Sequence, residues 1–153
     1  MSQPSPQIDL DTSLGYLLKQ ASSALHSSME EVLRPLGMNI THYSCLELLA
    51  QRPGLSNSEL ARGAFVTRQS MNVLLHSLER DGIVTRPSRA TSGRALPTEL
   101  TDAGRAQLAA ASAAVRRVED RMKAELSPDE RLLFGTMLAK CVSSLQVADA
   151  SVE

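Results

Sequence analysis

Apolar residues recur at helical spacing in the centre of the chain, separated there by polar ones. Thr67 is a favourable N-cap just before this stretch, and Asp81-Gly82 is a typical stop after it. The pattern therefore predicts a helix from residue 68 to about residue 80 that buries one face. Its apolar stripe, at i, i+3, i+4 and i+7, consists of Met71, Leu74, Leu75 and Leu78.

A shorter helix is predicted immediately before it. Ser56 and Glu59 have the spacing of a capping box, in which each side chain satisfies an unpaired backbone N–H at a helix start. We expect this helix to begin at Asn57 and to end near Arg62, because Gly63 permits the following turn. The two helices together form a helix-turn-helix, a unit that DNA-binding proteins place in the major groove.

The face opposite the apolar stripe carries side chains suited to reading DNA. Arginine, glutamine and asparagine form bidentate hydrogen bonds with guanine or adenine edges, and an outward valine fits against a thymine methyl. The alternative is an ordinary amphipathic helix whose polar face meets only water. The DNA-contacting residues predicted in the two helices and their caps are Ser56, Asn57, Thr67, Arg68, Gln69, Ser70, Asn72, Val73 and His76.

A basic hairpin is predicted after the second helix. Ile83–Thr85 and residues 95–100 are strand-like and flank a turn-rich loop. A helix-turn-helix followed by such a hairpin is a winged helix. We expect Arg86 and Arg89 to contact phosphates, with a solvated arginine pair as the alternative, and Arg94 to enter a narrow minor groove.

Four segments, ELAR, VTRQSMN, LERDGIV and GRALPTELTDAG, resemble the MarR family of transcriptional regulators. The wing of that family typically contains Asp-x-Arg, an apolar strand and Leu-Thr-x-x-Gly. The last motif stands here from Leu100 to Gly104, and Arg94 is the wing arginine. Ser92 replaces the usual aspartate, and Pro97 cannot donate a ladder hydrogen bond, so the departures from the family pattern fall in the wing.

The resemblance implies a mainly α fold with a small β-hairpin wing (α+β), a winged helix-turn-helix with N- and C-terminal dimerisation helices. Apolar periodicity outside the central region predicts the additional helices. They run from about Asp11 to Arg34, from His42 (capped by Thr41) to about Gln51, from Asp102 to about Glu125, and onward from Ser127-Pro128.

The outer helices carry apolar faces that a winged helix alone does not need. Two copies that pair through them would place two recognition helices one DNA turn apart, on an inverted repeat. The alternative is that these helices pack onto their own chain as extra core. The predicted organisation is a disordered tail (1–10), a dimerisation helix (11–35), a winged helix-turn-helix DNA-binding domain (39–104) and C-terminal dimerisation helices (105–148).

Composition supports a DNA partner locally. The 153 residues carry a formal charge of −1, but residues 52–105 contain eight basic and five acidic side chains. A basic excess confined to one region is what a docking face on DNA requires. Aromatic residues make up only 3% and Trp is absent, which argues against an aromatic platform for single-stranded nucleic acid.

Other classes of function have little support in the sequence. A phosphate-binding glycine loop, a G-x-S-x-G elbow and an HExxH motif are all absent, so we expect neither an enzyme nor a cofactor. The three histidines and two cysteines lack compact metal-ligand spacing, so no metal is expected. With no signal peptide and no apolar run long enough to cross a bilayer, the chain is expected to be cytoplasmic, without a membrane partner.

Regulation has two open interpretations. The family resemblance implies an effector pocket between the dimerisation helices and the DNA-binding lobe, and a small aromatic or phenolic compound is the expected ligand. Alternatively Cys45 senses redox state, if His42 lowers its thiol pKa. The same residues are equally consistent with interface and core positions. The pocket candidates are Tyr16, Gln20, His42, Tyr43 and Cys45.

The function predicted from these patterns is a homodimeric regulator that binds an inverted-repeat operator on double-stranded DNA. Repression, rather than activation, rests on the family resemblance, and a small-molecule effector would release the operator by a population shift. A helical protein-interaction module without specific DNA binding is the competing class. Mutation of Arg68 and Arg94 separates the two classes. It should abolish salt-sensitive DNA binding if the chain is a DNA-binding regulator, and change little if the chain is a protein-interaction module.

Overall fold

The computed structural model describes residues 7–86 and 97–150, with the backbone alone for residues 147–150. Two compact units divide the chain, residues 1–118 and residues 119–153. Of the predicted N-terminal tail, residues 1–6 lie outside the described residues. The elements are α1 (Leu14–Leu33), a 3-10 turn (Arg34–Leu36), α2 (Ile40–Gln51), α3 (Asn57–Gly63), α4 (Arg68–Arg80), β1 (Val84–Thr85), β2 (Glu99–Leu100), α5 (Asp102–Met122) and α6 (Pro128–Ala150).

The first unit is mainly helical and contains a two-stranded antiparallel sheet, so the predicted fold class is confirmed. One hydrophobic cluster joins the end of α1 to α2, α3, α4, α5 and both strands. The apolar stripe of α4 enters this cluster, as its spacing predicts. Side chains with 2% exposure or less in the cluster are Leu33, Cys45, Leu46, Leu60, Ala61, Met71, Leu75, Leu78, Val84 and Ala111.

The helix-turn-helix is held by side-chain caps at both helix starts. Ser56 Oγ accepts from the Glu59 backbone N–H at 3.2 Å, and the Glu59 carboxylate accepts from the Ser56 N–H at 3.2 Å. The pKa of Glu59 is lowered, first because its carboxylate accepts from the Ser56 backbone N–H, and then because of the Ser56 side chain and the nearby charge of Arg62. Thr67 Oγ1 accepts from the Ser70 N–H at 3.1 Å and starts α4. Both predicted caps are confirmed.

The hairpin is shorter than its sequence predicts. β1 pairs with β2 with Val84 opposite Leu100 and Thr85 opposite Glu99. Pro97 therefore precedes the returning strand and does not lie within it, which corrects the prediction that the strand begins at residue 95. A proline cannot donate a ladder hydrogen bond, and the ladder forms only beyond it. Of the predicted loop from residue 86 to residue 94, residues 87–94 lie outside the described residues.

The Leu-Thr-x-x-Gly motif joins α5 to the corner between α4 and β1. Thr101 Oγ1 donates to the carbonyls of Gly82 and Ile83, at 2.6 and 3.0 Å, and accepts from the Gly104 N–H at 3.1 Å. Gly104 is necessary there, because a Cβ at this position would lie 2.2 Å from the Ile83 carbonyl oxygen. The motif thus caps α5 and lets the helix pack closely against the backbone of Ile83, the residue before β1.

Two helix starts differ from the prediction because a different side chain makes the cap. α2 begins at Ile40, since Asn39 Oδ1 accepts from the His42 N–H at 2.8 Å, so Thr41 is not its cap. The Glu30 carboxylate also accepts from the Ile40 N–H at 3.2 Å. α1 begins at Leu14 instead of near residue 11, with Ser13 as its cap.

α5 ends earlier than predicted, at Met122 and not near residue 125. Beyond Met122 the chain forms tighter turns, in which Ala124 N–H bonds to Arg121 O and Leu126 N–H bonds to Lys123 O. A second capping box, between Ser127 and Glu130, then starts α6. No helix among the described residues is long and apolar enough to cross a membrane.

The helices at the two ends of the chain leave large apolar side chains exposed. In α1 only Leu33 is buried, and Leu14 is 81% exposed. In α6 Leu132 is 74% exposed and Leu145 is 71% exposed. Unpartnered apolar surface of this extent is typical of helices that bind another chain.

Candidate nucleic-acid interface

α4 presents one polar face to solvent and buries the other. Met71, Leu75 and Leu78 are buried, whereas Val73 keeps 65% of its surface exposed among polar neighbours. The exposed side chains lie on the face that the sequence predicts, and Asn72 at its edge is half-buried. The exposed side chains of α4 are Arg68, Gln69, Ser70, Val73, His76, Glu79 and Arg80.

Two of the predicted DNA-contacting hydroxyls, those of Ser56 and Thr67, are already engaged in helix capping. Ser56 accepts from Glu59 N–H, and Thr67 both accepts from Ser70 N–H and donates to Ser70 Oγ at 3.0 Å. Their main task in the fold is therefore to start α3 and α4. The longer side chains at the start of α4, Arg68 and Gln69, are exposed and take no part in either cap.

The arginines of this face are not neutralised by nearby carboxylates. Neither Arg68 nor Arg80 forms a salt bridge with a carboxylate within residues 7–86 and 97–150. Uncompensated guanidinium groups attract phosphates and release counterions on binding. The electrostatic half of a DNA interface is therefore present on α4.

Two predicted contacts at the edge of the face have a polar atom without a partner. Asn57 Oδ1 and Arg86 Nη1 are buried and lack hydrogen bonds among the described residues. Such atoms carry an energetic cost of about 1–3 kcal/mol until a partner satisfies them. Arg89 and Arg94, the other predicted wing contacts, lie outside the described residues, as does Ser92.

Sequence patterns did not single out Phe65, which lies in the turn between α3 and α4. Its side chain is 95% exposed, and its backbone φ of 59° is left-handed. A glycine is the usual residue in this conformation at a helix end. A bulky residue at that place in the turn is a signal that could have marked it.

The comparisons with known proteins agree with this geometry. Residues 36–95 match the MarR family model. The HTH-type transcriptional repressor Rv2887 of Mycobacterium tuberculosis is 44% identical over 130 residues, which cover 85% of this chain and 94% of the repressor. The chain belongs to the MarR family of transcriptional regulators. The resemblance inferred from the four sequence motifs is thereby confirmed.

Solved structures of MarR proteins extend the match to the fold. The structure of Rv2887 in complex with DNA has a TM-score of 0.72 at 41% identity, and covers 86% of this chain and 98% of that one. The structure of Rv2887 in complex with salicylic acid also has a TM-score of 0.72, at 44% identity, with 86% and 97% covered. This MarR chain therefore resembles a regulator that has been solved with both DNA and an aromatic acid.

One of the five pocket candidates of this MarR chain lines a cavity in the structure. A cavity of about 220 Å³ lies along α2, and Tyr43 is its only lining residue from the predicted five. Tyr16 and Gln20 are exposed on α1, and Cys45 is buried in the core. The cavity is lined by Tyr43, Ser44, Glu47, Leu48, Gln51, Arg52 and Gly63.

The polar side of this cavity is organised by Glu47. Its carboxylate accepts hydrogen bonds from Ser112 on α5, at 3.0 Å, and from Gln51 one turn along α2. His42 lies on the same helix but packs elsewhere: burial lowers its pKa, and Gln107 and Asp81 only partly oppose that shift. His42 Nε2 and Gln107 Oε1 are both buried without a well-formed hydrogen bond among the described residues.

Cys45 does not have the environment of a redox sensor. Its side chain is completely buried, and burial raises the pKa of its thiol to about 12. A sensing cysteine needs a lowered pKa, because the thiolate is the reactive form. His42 does not supply the required charge, since its own pKa is lowered. The structure therefore contradicts the redox interpretation, and Cys45 is a small core residue.

Proposed function

We propose that this chain is a transcriptional repressor that binds an inverted-repeat operator as a homodimer and is released from it by a small aromatic acid. The DNA-binding part of this proposal rests on one observation above all. α4 buries Met71, Leu75 and Leu78 in the core and exposes Arg68 and Gln69 on the opposite face.

A helix placed in this way can enter a major groove without losing its support. The capped start of α4 projects its first-turn side chains outward, where Arg68 can bind guanine O6 and N7 and Gln69 can bind adenine N6 and N7. Val73, one turn further along, is the side chain suited to a thymine methyl. Arg86, Arg89 and Arg94 are assigned to phosphates and the minor groove beside the same base pairs.

The homodimer is proposed from the exposed apolar faces of α1 and α6. Side chains such as Leu14 and Leu132, which are 81% and 74% exposed, would be covered by the same helices of a second copy. A dimer of this kind doubles the number of DNA contacts, because each copy places its α4 in one half-site of the inverted repeat. The proposed division into residues 11–35, 39–104 and 105–148 follows this assignment.

Release by an aromatic acid is proposed from the relative solved with salicylic acid. A ligand that binds better to the arrangement that cannot span both half-sites weakens operator binding by its difference in affinity for the two arrangements. Among the predicted pocket residues, Tyr43 lines the cavity along α2.

The decisive experiment is a genomic-fragment selection with the purified protein, followed by footprinting of the enriched DNA at two salt concentrations. We expect a protected inverted repeat whose affinity falls steeply as salt rises. Arg68→Ala should weaken binding by about 1–3 kcal/mol and relax preference at one base pair of each half-site. Arg116→Ala, the same change at an exposed position of α5, is the matched control.

Three results would contradict parts of the proposal separately. Enrichment of no DNA by the wild-type protein would remove the operator and favour a protein-interaction module. Equal losses in Arg68→Ala and Arg116→Ala would remove the specific role of α4. Binding that is unchanged by salicylate and other small aromatic acids would leave the repressor without this class of effector.

A further inference from the structure

Phe65 is the most exposed of the large hydrophobic side chains in the described part of the chain, at 95%. Its backbone also occupies the left-handed region, at φ 59°, where a side chain with a Cβ is strained. The turn is fixed on both sides, since Phe65 N–H bonds to Arg62 O at 3.2 Å and Val66 N–H bonds to Ala61 O at 3.0 Å. A glycine here would avoid the strain and the exposed ring together.

The surroundings of this ring are cationic and polar. Arg62 precedes it by three residues and Arg68 follows it by three, and both are exposed, as is Thr67 between the ring and α4. Neither arginine has a carboxylate within salt-bridge distance in the described ranges, although the charge of Arg62 contributes to the lowered pKa of Glu59. An aromatic ring between two arginines suits a surface that offers apolar groups between negative charges.

DNA is such a surface, because deoxyribose carbons and thymine methyls lie between the phosphates along each groove wall. A second copy of the chain is a weaker fit for this ring. The apolar residues available for pairing copies are grouped on α1 and α6, whereas the exposed residues on both sides of Phe65 are polar.

We propose that Phe65 is a DNA-contacting residue whose ring packs against the deoxyribose and thymine methyl groups at the flank of the recognition helix. This inference rests on the proposed function, since it assigns a further contact to the same interface. The left-handed turn holds the ring clear of the core, where it meets the groove wall as Arg68 and Gln69 enter the groove.

The test uses the full-length protein and an operator fragment obtained by selection. Phe65→Gly and Phe65→Asn both remove the ring and accept the left-handed backbone, and the asparagine adds no glycine flexibility. Phe65→Leu keeps an apolar side chain and is the conservative variant. DNA affinity is measured by fluorescence anisotropy at several salt concentrations, beside melting temperature and oligomeric state.

We expect Phe65→Gly and Phe65→Asn to melt at or above the wild-type temperature, to keep the wild-type oligomeric state, and to bind the operator about tenfold more weakly. The slope of affinity against salt should be unchanged, because an apolar contact releases no counterions. Phe65→Leu should recover part of the loss. Arg68→Ala, measured in parallel, reports on the interface itself.

The possible failures are distinguishable. If the two ring-deleting variants bind operator like the wild type while Arg68→Ala is weakened, Phe65 serves another partner and this inference is overturned. If both variants melt lower than the wild type, the ring belongs to the fold and the inference is again overturned. If the wild type shows no salt-sensitive operator binding, the proposed function fails and this contact fails with it.

Discussion

At the scale of single residues, close backbone contacts hold the corner where α4, β1 and the start of α5 meet. Gly82 has a φ of 74° and ends α4, and two residues later the chain enters β1. Thr101 then binds the carbonyls of Gly82 and Ile83, while Gly104 leaves room for the Ile83 carbonyl. These contacts are few and short, so each of them is sensitive to substitution.

Gly104→Ala should be strongly destabilising. The new Cβ would lie 2.2 Å from the Ile83 carbonyl oxygen, which is backbone and cannot swing away. We expect a loss of about 3 kcal/mol in the free energy of unfolding, measured by urea denaturation. Gly135→Ala is the control, because its Cβ would meet nothing within 4 Å. A helical glycine replaced by alanine in open space should gain about 0.5–1 kcal/mol. Equal stability of the two variants would contradict this account of the motif.

The thiol of Cys45 should be unreactive in the folded protein. Burial raises its pKa to about 12, so the thiolate is scarce near neutral pH. In a Cys141→Ser variant, Cys45 is the one thiol left in the sequence. We expect a thiol reagent to modify that variant only as fast as it unfolds, and immediately in urea. Rapid labelling under native conditions, or loss of DNA binding on mild oxidation, would restore the redox interpretation.

At the scale of elements, capping accounts for where helices begin. The reciprocal pair of Ser56 and Glu59 satisfies two backbone N–H groups at the start of α3, and Thr67 starts α4. The same arrangement, Ser127 with Glu130, starts α6. A helix of seven residues such as α3 has little stability of its own, so its cap matters more.

Ser56→Ala should lower the free energy of unfolding by about 1 kcal/mol. The hydroxyl that accepts from Glu59 N–H at 3.2 Å is lost, and the start of α3 is left with an unsatisfied N–H. Ser56→Asn, which keeps an accepting oxygen, should retain most of the stability. Chemical denaturation followed by far-UV circular dichroism measures both variants. A loss as large in the asparagine variant would mean that the serine acts otherwise than as a cap.

The sequence predicted elements well where the pattern is local. The i, i+3, i+4, i+7 spacing in α4 and the capping box of α3 correctly placed both helices of the helix-turn-helix. Predictions failed where two side chains compete for one role: Asn39 caps α2 although Thr41 is also a good cap. Hairpin length also escaped prediction, because a two-residue ladder depends on pairing between distant segments.

The parts of the site that depend on local sequence were predictable, and the parts that depend on packing between distant segments were not. The exposed face of α4 follows from periodicity alone, and it appears as expected. The cavity on α2 depends on how α2, α3 and α5 pack, so only Tyr43 of its lining was foreseen. Phe65 leaves no periodic signal, so before its left-handed backbone and its exposure were known, only its bulk within a predicted turn could have marked it.

At the scale of the whole molecule, charge and apolar surface are separated along the chain. The basic excess lies between residues 52 and 105, and the exposed apolar side chains are concentrated in α1 and α6. Such a division suits a protein that meets DNA with its centre and another copy with its ends.

Leu132→Glu should therefore weaken self-association. A carboxylate at a position that is 74% exposed costs the isolated chain little, but burying it in a dimer is expensive. We expect a shift towards monomer in sedimentation velocity, accompanied by loss of operator affinity. Lys140→Glu, a change of charge at another exposed position of α6, is the control. An unchanged dimer in the leucine variant would remove α6 from the proposed interface.

The backbone N–H and carbonyl of Ile83 connect α4 to the start of α5 directly. Its N–H bonds to Leu78 O in the last turn of α4, at 2.9 Å, and its carbonyl accepts from Thr101 N–H at 3.0 Å. The placement of α4 is thus set by a bridge that bypasses the stretch between Thr85 and Glu99. A change in the length or sequence of that stretch would leave both hydrogen bonds of Ile83 in place, and α4 would keep its position against the start of α5. That stretch is therefore the part of the chain in which substitutions and insertions should leave the scaffold unaltered.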